Sequence, residues 1–183
     1  MKGVIFSEFQ ELVESTFGLE MYDRLVQQCD LPTDGAYTSV GTYDHSELLQ
    51  LVVKLAEETE TSVAELAYAF GKHLFTKFTQ ASPHLLANID SAVDLLSNVE
   101  GFIHVEVRKL YPDAELPSFE FDQLSDNQWL MTYQSTRPFA DLAHGLIVAS
   151  IEHFGDEIEV ARKDLPGAPG TNAEFKLTAL APA

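Results

Sequence analysis

The apolar pattern of this 183-residue chain changes at Pro112, and this change constrains the fold more than any other feature of the sequence. Before Pro112, apolar residues recur every three or four positions, which is typical of amphipathic helices. After it, Phe119 and Phe121 alternate with acidic residues, and alternation resumes at Trp129, as in strands with one buried face. The sequence therefore predicts an α+β fold: a helical N-terminal part, then a small antiparallel sheet with a crossing helix.

Capping residues mark the starts of two helices in the first part. Asp44 with Glu47, and Ser62 with Glu65, have the spacing of a capping box, in which two side chains and two backbone N–H groups bond reciprocally. Gly71 interrupts the second of these helices. A glycine there indicates either a close approach by a neighbouring helix or a flat cofactor, or a tolerated strain.

A long helix, predicted to begin at Asp90 or Ser91, carries a histidine on its apolar side. His104 follows Val93 and Leu96 at helical spacing, so the side chain should point inward. A lone inward histidine is most often a core residue with one ring nitrogen hydrogen-bonded. The alternative is a metal ligand.

Three polar residues follow at alternate positions, Tyr133, Ser135 and Arg137. If the strand continues through them, two hydroxyls and a guanidinium share one face. Arginine can hold a carboxylate with two parallel hydrogen bonds, and the hydroxyls can donate to the remaining oxygens. We call these three residues the anion clamp. The alternative is an ordinary half-exposed strand with polar residues on its outer face.

Composition limits the partners of the chain. Acidic residues outnumber basic ones by 29 to 11, for a formal charge of −18, which disfavours nucleic acid and anionic membrane surfaces as partners. The single Cys29 permits no internal disulfide. No apolar run has the length of a signal peptide or a membrane span, so we expect a cytoplasmic protein of one domain.

The inward His104, Pro117 thirteen residues later and the Y-x-S-x-R motif resemble the haem nitric oxide/oxygen binding (H-NOX) family, which includes the haem domain of soluble guanylate cyclase. The opening MKGVIF, the stretch FGKHLFTKF and the later HGLI also resemble this family. The resemblance covers nearly all of the chain. It implies a single H-NOX domain over residues 1–183, with a distal lobe of roughly 1–60, a haem-anchoring lobe of roughly 61–183, and haem between them.

The resemblance also implies roles for individual residues. The cofactor would be haem b (iron protoporphyrin IX), with His104 as the proximal iron ligand and the anion clamp on the propionates. Pro117 would help to distort the haem. The distal positions would be apolar: Ile5, Phe9, Leu74, Phe78, Leu142 and Leu146.

By the same resemblance, the protein is a nitric oxide sensor that also binds carbon monoxide. Nitric oxide would weaken or break the iron–histidine bond, and the resulting conformational change would regulate a separate histidine kinase or cyclic-di-GMP enzyme. Family members that hold oxygen have a tyrosine where this chain has Leu142, which implies that oxygen is not retained. His144, two residues further along the helix, should face away from the pocket.

Two other functions compete with this one. A haem enzyme such as a peroxidase needs a distal acid–base group, which the apolar distal positions do not supply. A binding module for some other carboxylate would use the anion clamp without haem, and would be colourless.

Overall fold

The computed structural model describes residues 1–180, so the last three residues of the predicted domain lie outside the described part. None of the helices in residues 1–180 has the length and apolar composition to cross a membrane. The helices are α1 (Gly3–Phe17), α2 (Leu19–Gln28), α3 (His45–Thr59), α4 (Val63–Ala81), a 3₁₀ helix (Pro83–Leu86), α5 (Ala92–Ser97), a π-helical turn (Val99–Ile103), α6 (His104–Leu110) and α7 (Ala140–Phe154). The strands are β1 (Ser118–Ser125), β2 (Gln128–Gln134), β3 (Ile158–Asp164) and β4 (Asn172–Ala179).

The four strands form one antiparallel sheet in the order β1-β2-β4-β3. Strands β1 and β2 make the hairpin that the alternating pattern predicts, with a turn at Asp126 and Asn127. Helix α7 connects β2 to β3 and packs its buried residues against the sheet. The predicted α+β architecture is confirmed.

The capping signals were partly informative. Ser62 and Glu65 form the predicted capping box at the start of α4: the Ser62 hydroxyl accepts from the Glu65 N–H, and the Glu65 carboxylate accepts from the Ser62 N–H. Asp44 caps α3 by accepting from the N–H of Ser46 at 2.8 Å.

Glu47 does not complete the capping box predicted with Asp44. Its side chain is buried, and one carboxylate oxygen accepts hydrogen bonds from Thr33 at 2.6 Å and Tyr37 at 3.0 Å. Burying a carboxylate is costly unless hydrogen bonds replace those with water. The two hydroxyl donors make the inward position favourable, and the sequence spacing alone does not reveal them.

Two large groups of buried apolar residues form most of the core. The first core cluster is formed mainly by α1 to α4, with partly buried residues of α7 packed against it; its buried members are Phe6, Phe9, Val13, Tyr22, Leu25, Leu31, Leu48, Leu51, Val52, Leu55, Phe70 and Leu74. The second lies between the sheet and helices α5 and α7; its buried members are Ala92, Leu96, Met131, Tyr133, Ala140, Ala143, Ile147, Ile151, Ala173, Phe175 and Leu177. Helix α7 therefore contacts both clusters.

Helices α4 and α7 cross at two glycines. A Cβ atom on Gly71 would lie 2.1 Å from the main-chain oxygen of Leu142, and one on Gly145 would lie 2.0 Å from that of Tyr68. Both distances are far below van der Waals contact, so the two backbones touch directly. Gly71 therefore permits the close approach of a neighbouring helix, which was one of the alternatives that its position indicated.

Candidate functional site

His104 is the first residue of α6, directly after the π-helical turn. In this turn the N–H of Ile103 donates to Asn98 O, five residues earlier, at 3.1 Å. A regular helix turns about 100° per residue and would place His104 within about 20° of Val93. The additional residue in the π turn aligns it instead with Leu96. Leu96 and His104 are both buried, His104 to 8% exposure, whereas Val93 is only half-buried.

The helix is thus interrupted where a continuous one was predicted, although the histidine does point inward. Single π turns are rare and occur frequently at functional sites. The π turn also contains Glu100, whose side chain forms a hydrogen bond with His104.

Glu100 holds one ring nitrogen of His104. Its Oε1 lies 3.0 Å from His104 Nδ1 and also accepts from the N–H of Phe119 at 2.9 Å. Burial lowers the pKa of His104, against the opposing effect of the Glu100 carboxylate, so the neutral ring is favoured. With Nδ1–H donating to the carboxylate, Nε2 keeps a free lone pair. Glu100 was not among the site residues predicted from the sequence, although a Glu–His pair four residues apart on a helix is a recognisable signal.

Phe119 connects His104 to the anion clamp. Its ring centroid is 5.9 Å from that of His104 and 5.4 Å from that of Tyr133. Phe119 and Tyr133 are also direct partners in the β1–β2 pairing. The hairpin therefore places the clamp residue Tyr133 one side chain away from the histidine.

The anion clamp is held by a turn and not by a strand face, because β2 ends at Gln134. The Tyr133 hydroxyl donates to Arg137 O at 3.4 Å, and the Ser135 Oγ accepts from the Arg137 N–H at 3.0 Å. Burial raises the pKa of Tyr133, so its hydroxyl remains a donor at neutral pH. The prediction of a continuing strand is wrong, but the turn keeps the three residues together.

The Arg137 guanidinium also contacts the loop between α6 and β1, which we call the 111–117 loop. It donates to the main-chain oxygen of Glu115 at 2.8 Å and to the Glu115 carboxylate. The Arg137 side chain is 11% exposed and that of Glu115 is 79% exposed. Pro117 lies two residues beyond Glu115, immediately before β1. Arginine has five N–H donors, so those not bonded to Glu115 remain for a further anion.

The same loop is attached to the N-terminal segment through Asp113. Its carboxylate accepts from Lys2 Nζ at 3.2 Å and from the Thr42 hydroxyl at 2.9 Å. The Lys2 ammonium lies 5.4 Å from the centre of the Tyr111 ring. The loop that follows the histidine helix therefore contacts both the anion clamp and the start of the chain.

Most of the predicted distal residues lie in one apolar region. Phe9 and Leu74 are buried in the first core cluster, and Ile5, Leu142 and Leu146 pack against it. Leu146 also packs against Leu95, Phe75 and Ala149, a smaller buried group. Phe78 is 38% exposed and lies outside these groups.

Two tyrosine hydroxyls near this region form hydrogen bonds with other parts of the protein. The hydroxyl of Tyr37 bonds to Glu47, and that of Tyr43 accepts from the N–H of Thr38 at 2.9 Å. The His144 ring lies 5.2 Å from the ring of Tyr68 and 5.5 Å from that of Phe175, a member of the second core cluster. The region is therefore suited to an apolar ligand.

These groups fit the haem that the sequence resemblance implies. A haem needs an axial ligand, an apolar slot and an anchor for two carboxylates. His104 offers a nitrogen lone pair, the region around Ile5, Leu142 and Leu146 is apolar, and Arg137 offers charge-assisted donors.

Comparisons with known proteins show the family to which the chain belongs. The family model described as Haem-NO-binding matches residues 2–162. The Fe(II) unliganded H-NOX protein from K. algicida is 39% identical, with a TM-score of 0.93 and coverage of 100% of this chain and 98% of that one. The IWP-051-bound H-NOX from Shewanella woodyi, in the Fe(II)CO ligation state, is 44% identical, with a TM-score of 0.83 and coverage of 98% and 95%.

An H-NOX protein from S. oneidensis in the Fe(II)NO ligation state is 25% identical, with a TM-score of 0.90 and coverage of 99% of this chain and all of that one. Similarity thus extends along the whole chain at the level of both sequence and fold. The chain belongs to the Haem-NO-binding (H-NOX) family, whose members are haem-based gas-binding sensors and not enzymes.

Proposed function

We propose that this protein is a nitric oxide sensor that holds haem b on His104 and also binds carbon monoxide. The observation that carries the proposal is the buried His104, whose Nδ1 is engaged by Glu100 so that Nε2 is left as a ligand. Haem, when bound, would supply the ferrous iron that takes the gas, and His104 would hold that iron. The protein supplies the histidine, the apolar surroundings and the anchor for the propionates.

The anion clamp is proposed to hold the propionates. Arg137 provides the charge, while Tyr133 and Ser135 fix the turn from which its guanidinium projects. Pro117 is proposed to press on the haem from the 111–117 loop, and Ile5, Leu142, Leu146 and Phe78 to form the gas side. Phe78, with its greater exposure, would contact only the edge of the group.

Arg137→Ala should accelerate haem loss, because a hydrogen bond to a charged group is worth roughly 1.5–3 kcal/mol, or about 10- to 100-fold in an equilibrium constant. Haem transfer to an acceptor protein in excess measures the rate. Arg24→Ala is the matched control, since Arg24 also pairs with a glutamate, Glu58, but on the α2–α3 surface. Equal transfer rates in the wild type and the Arg137 variant would show that the clamp holds something else.

The choice of gas follows from the apolar lining. Bound oxygen carries negative charge on its outer atom and needs a hydrogen-bond donor, whereas nitric oxide and carbon monoxide bind ferrous iron in an apolar pocket. Leu142 has no donor, and the nearby Tyr37 and Tyr43 hydroxyls are engaged elsewhere. We therefore propose that oxygen is not retained.

Exposure of the ferrous protein first to air and then to nitric oxide tests the proposed function by visible absorption. We expect no oxygen complex in air and a stable complex with nitric oxide. Leu142→Tyr should increase oxygen affinity, and Leu142→Phe is the control because it differs from the tyrosine variant only by the hydroxyl. A stable oxygen complex of the wild type would exclude selectivity, and a colourless protein would favour the haem-free carboxylate module.

The proposed output is regulation of a separate histidine kinase or cyclic-di-GMP enzyme in the cytoplasm. With a formal charge of −18, the sensor would associate most readily with a basic surface of such a partner. Kinase autophosphorylation, measured with the ferrous protein before and after nitric oxide addition, tests for this regulation.

A further inference from the structure

Glu100 has more contacts than a simple surface carboxylate. Its Oε1 bonds to His104 Nδ1 at 3.0 Å and to the Phe119 N–H at 2.9 Å, while its Oε2 lies 4.0 Å from the Arg108 guanidinium. The side chain is only 35% exposed. These contacts come from two elements outside the π turn that carries Glu100: helix α6 and the start of strand β1.

We infer that Glu100 is a positioning residue that sets the strength of the bond His104 makes to its metal, and with it the ease with which nitric oxide detaches the histidine. This inference rests on the proposed function, since it presupposes haem on His104.

The physical reason is that the Glu100 carboxylate polarises the imidazole ring. A ring that donates its Nδ1–H to a carboxylate becomes more basic at Nε2 and is fixed in orientation, so it binds a metal more strongly. A carboxylate acceptor has a larger effect than a neutral carbonyl because the hydrogen bond is charge-assisted. Glu100 should thus oppose release of His104.

Glu100 lies in the π turn, four residues before His104. Residues four apart on a helix are neighbours, so Glu100 and His104 can meet. The second hydrogen bond, from the Phe119 N–H, ties the carboxylate to the sheet as well as to the helix. Because its position is determined from two sides, Glu100 restrains the orientation of the His104 ring.

Glu100→Gln tests the inference with little change of shape, since the amide oxygen can still accept from both N–H groups but carries no negative charge. In the haem-loaded variant we expect a lower iron–histidine stretching frequency by resonance Raman and a higher reduction potential. Haem affinity should fall roughly tenfold, as is common when an outer partner of a metal ligand is replaced. The nitric oxide concentration at which half of the protein has lost the bond between His104 and the iron should be lower in this variant than in the wild type.

Glu106→Gln is the matched control. Glu106 lies on α6, two residues after His104, and accepts a hydrogen bond from Lys109, so its replacement also removes one negative charge close to His104 in sequence. Unchanged frequency and potential in the Glu100 variant, or equal shifts in both variants, would overturn the inference while leaving the proposed function intact. A wild-type protein without haem on His104 would overturn both.

Discussion

Replacing His104 with alanine is expected to deprive the purified protein of nearly all its haem. His104 is the one residue proposed as iron ligand, so the loss should exceed the roughly 10- to 100-fold in affinity that removing an outer partner of a ligand costs. The haem-to-protein absorbance ratio after expression measures the effect. Added imidazole should restore part of the binding, because it can occupy the space of the missing ring and donate a hydrogen bond from its N–H to the Glu100 carboxylate.

The control for this change is His84→Ala, which removes an exposed histidine from the 3₁₀ helix. It should retain haem at the wild-type level. Circular dichroism of both variants separates loss of the ligand from loss of the fold. A folded His104 variant that carries a full complement of five-coordinate ferrous haem without imidazole would contradict the assignment of the ligand.

Gly145→Ala is expected to have the largest effect on stability. A methyl group at this position would lie 2.0 Å from the main-chain oxygen of Tyr68, so α4 and α7 would have to separate. Overpacking of a well-packed interior typically costs about 1–3 kcal/mol, occasionally more, and a contact with a neighbouring backbone belongs to the severe cases. For a chain of this size, each kcal/mol lowers the Tm by roughly 2–4 °C.

Gly101→Ala provides the control for Gly145→Ala. A Cβ at Gly101 would meet nothing within 4 Å, and alanine is favoured over glycine in a helix by up to about 1 kcal/mol. We expect this variant to be as stable as the wild type or slightly more stable in urea unfolding. A Gly145 variant with an unchanged unfolding midpoint would show that the two helices can move apart without cost.

Local patterns were sufficient to predict the fold class but not the chemistry around His104. The β1–β2 hairpin and the Ser62 capping box depend on neighbours in sequence, so spacing revealed them. The π turn has no such signature, since its hydrogen bonds compete closely with those of an α-helix. The resemblance to a known family, and not periodicity, led to the proposal that His104 is a ligand.

Contacts between segments that are distant in sequence were the other feature that residue spacing did not predict. Glu47 has capping-box spacing, yet Thr33 and Tyr37 draw it into the core. The pairing of Arg137 with Glu115 joins residues 22 positions apart. Neither contact can be derived from residue spacing, because it depends on how the helices and the sheet pack against one another.

The attachment of the 111–117 loop to the rest of the molecule should depend on the salt concentration. It joins the histidine helix to the N-terminal segment through Asp113 and to Arg137 through Glu115, and these two carboxylates are 62% and 79% exposed. Exposed ion pairs are screened by dissolved salt, with a Debye length of about 8 Å at physiological ionic strength and about 3 Å at 1 M. We therefore expect the ion pairs that attach this loop to Lys2 and Arg137 to weaken as the salt concentration rises, and α6 to be held less firmly against the rest of the molecule.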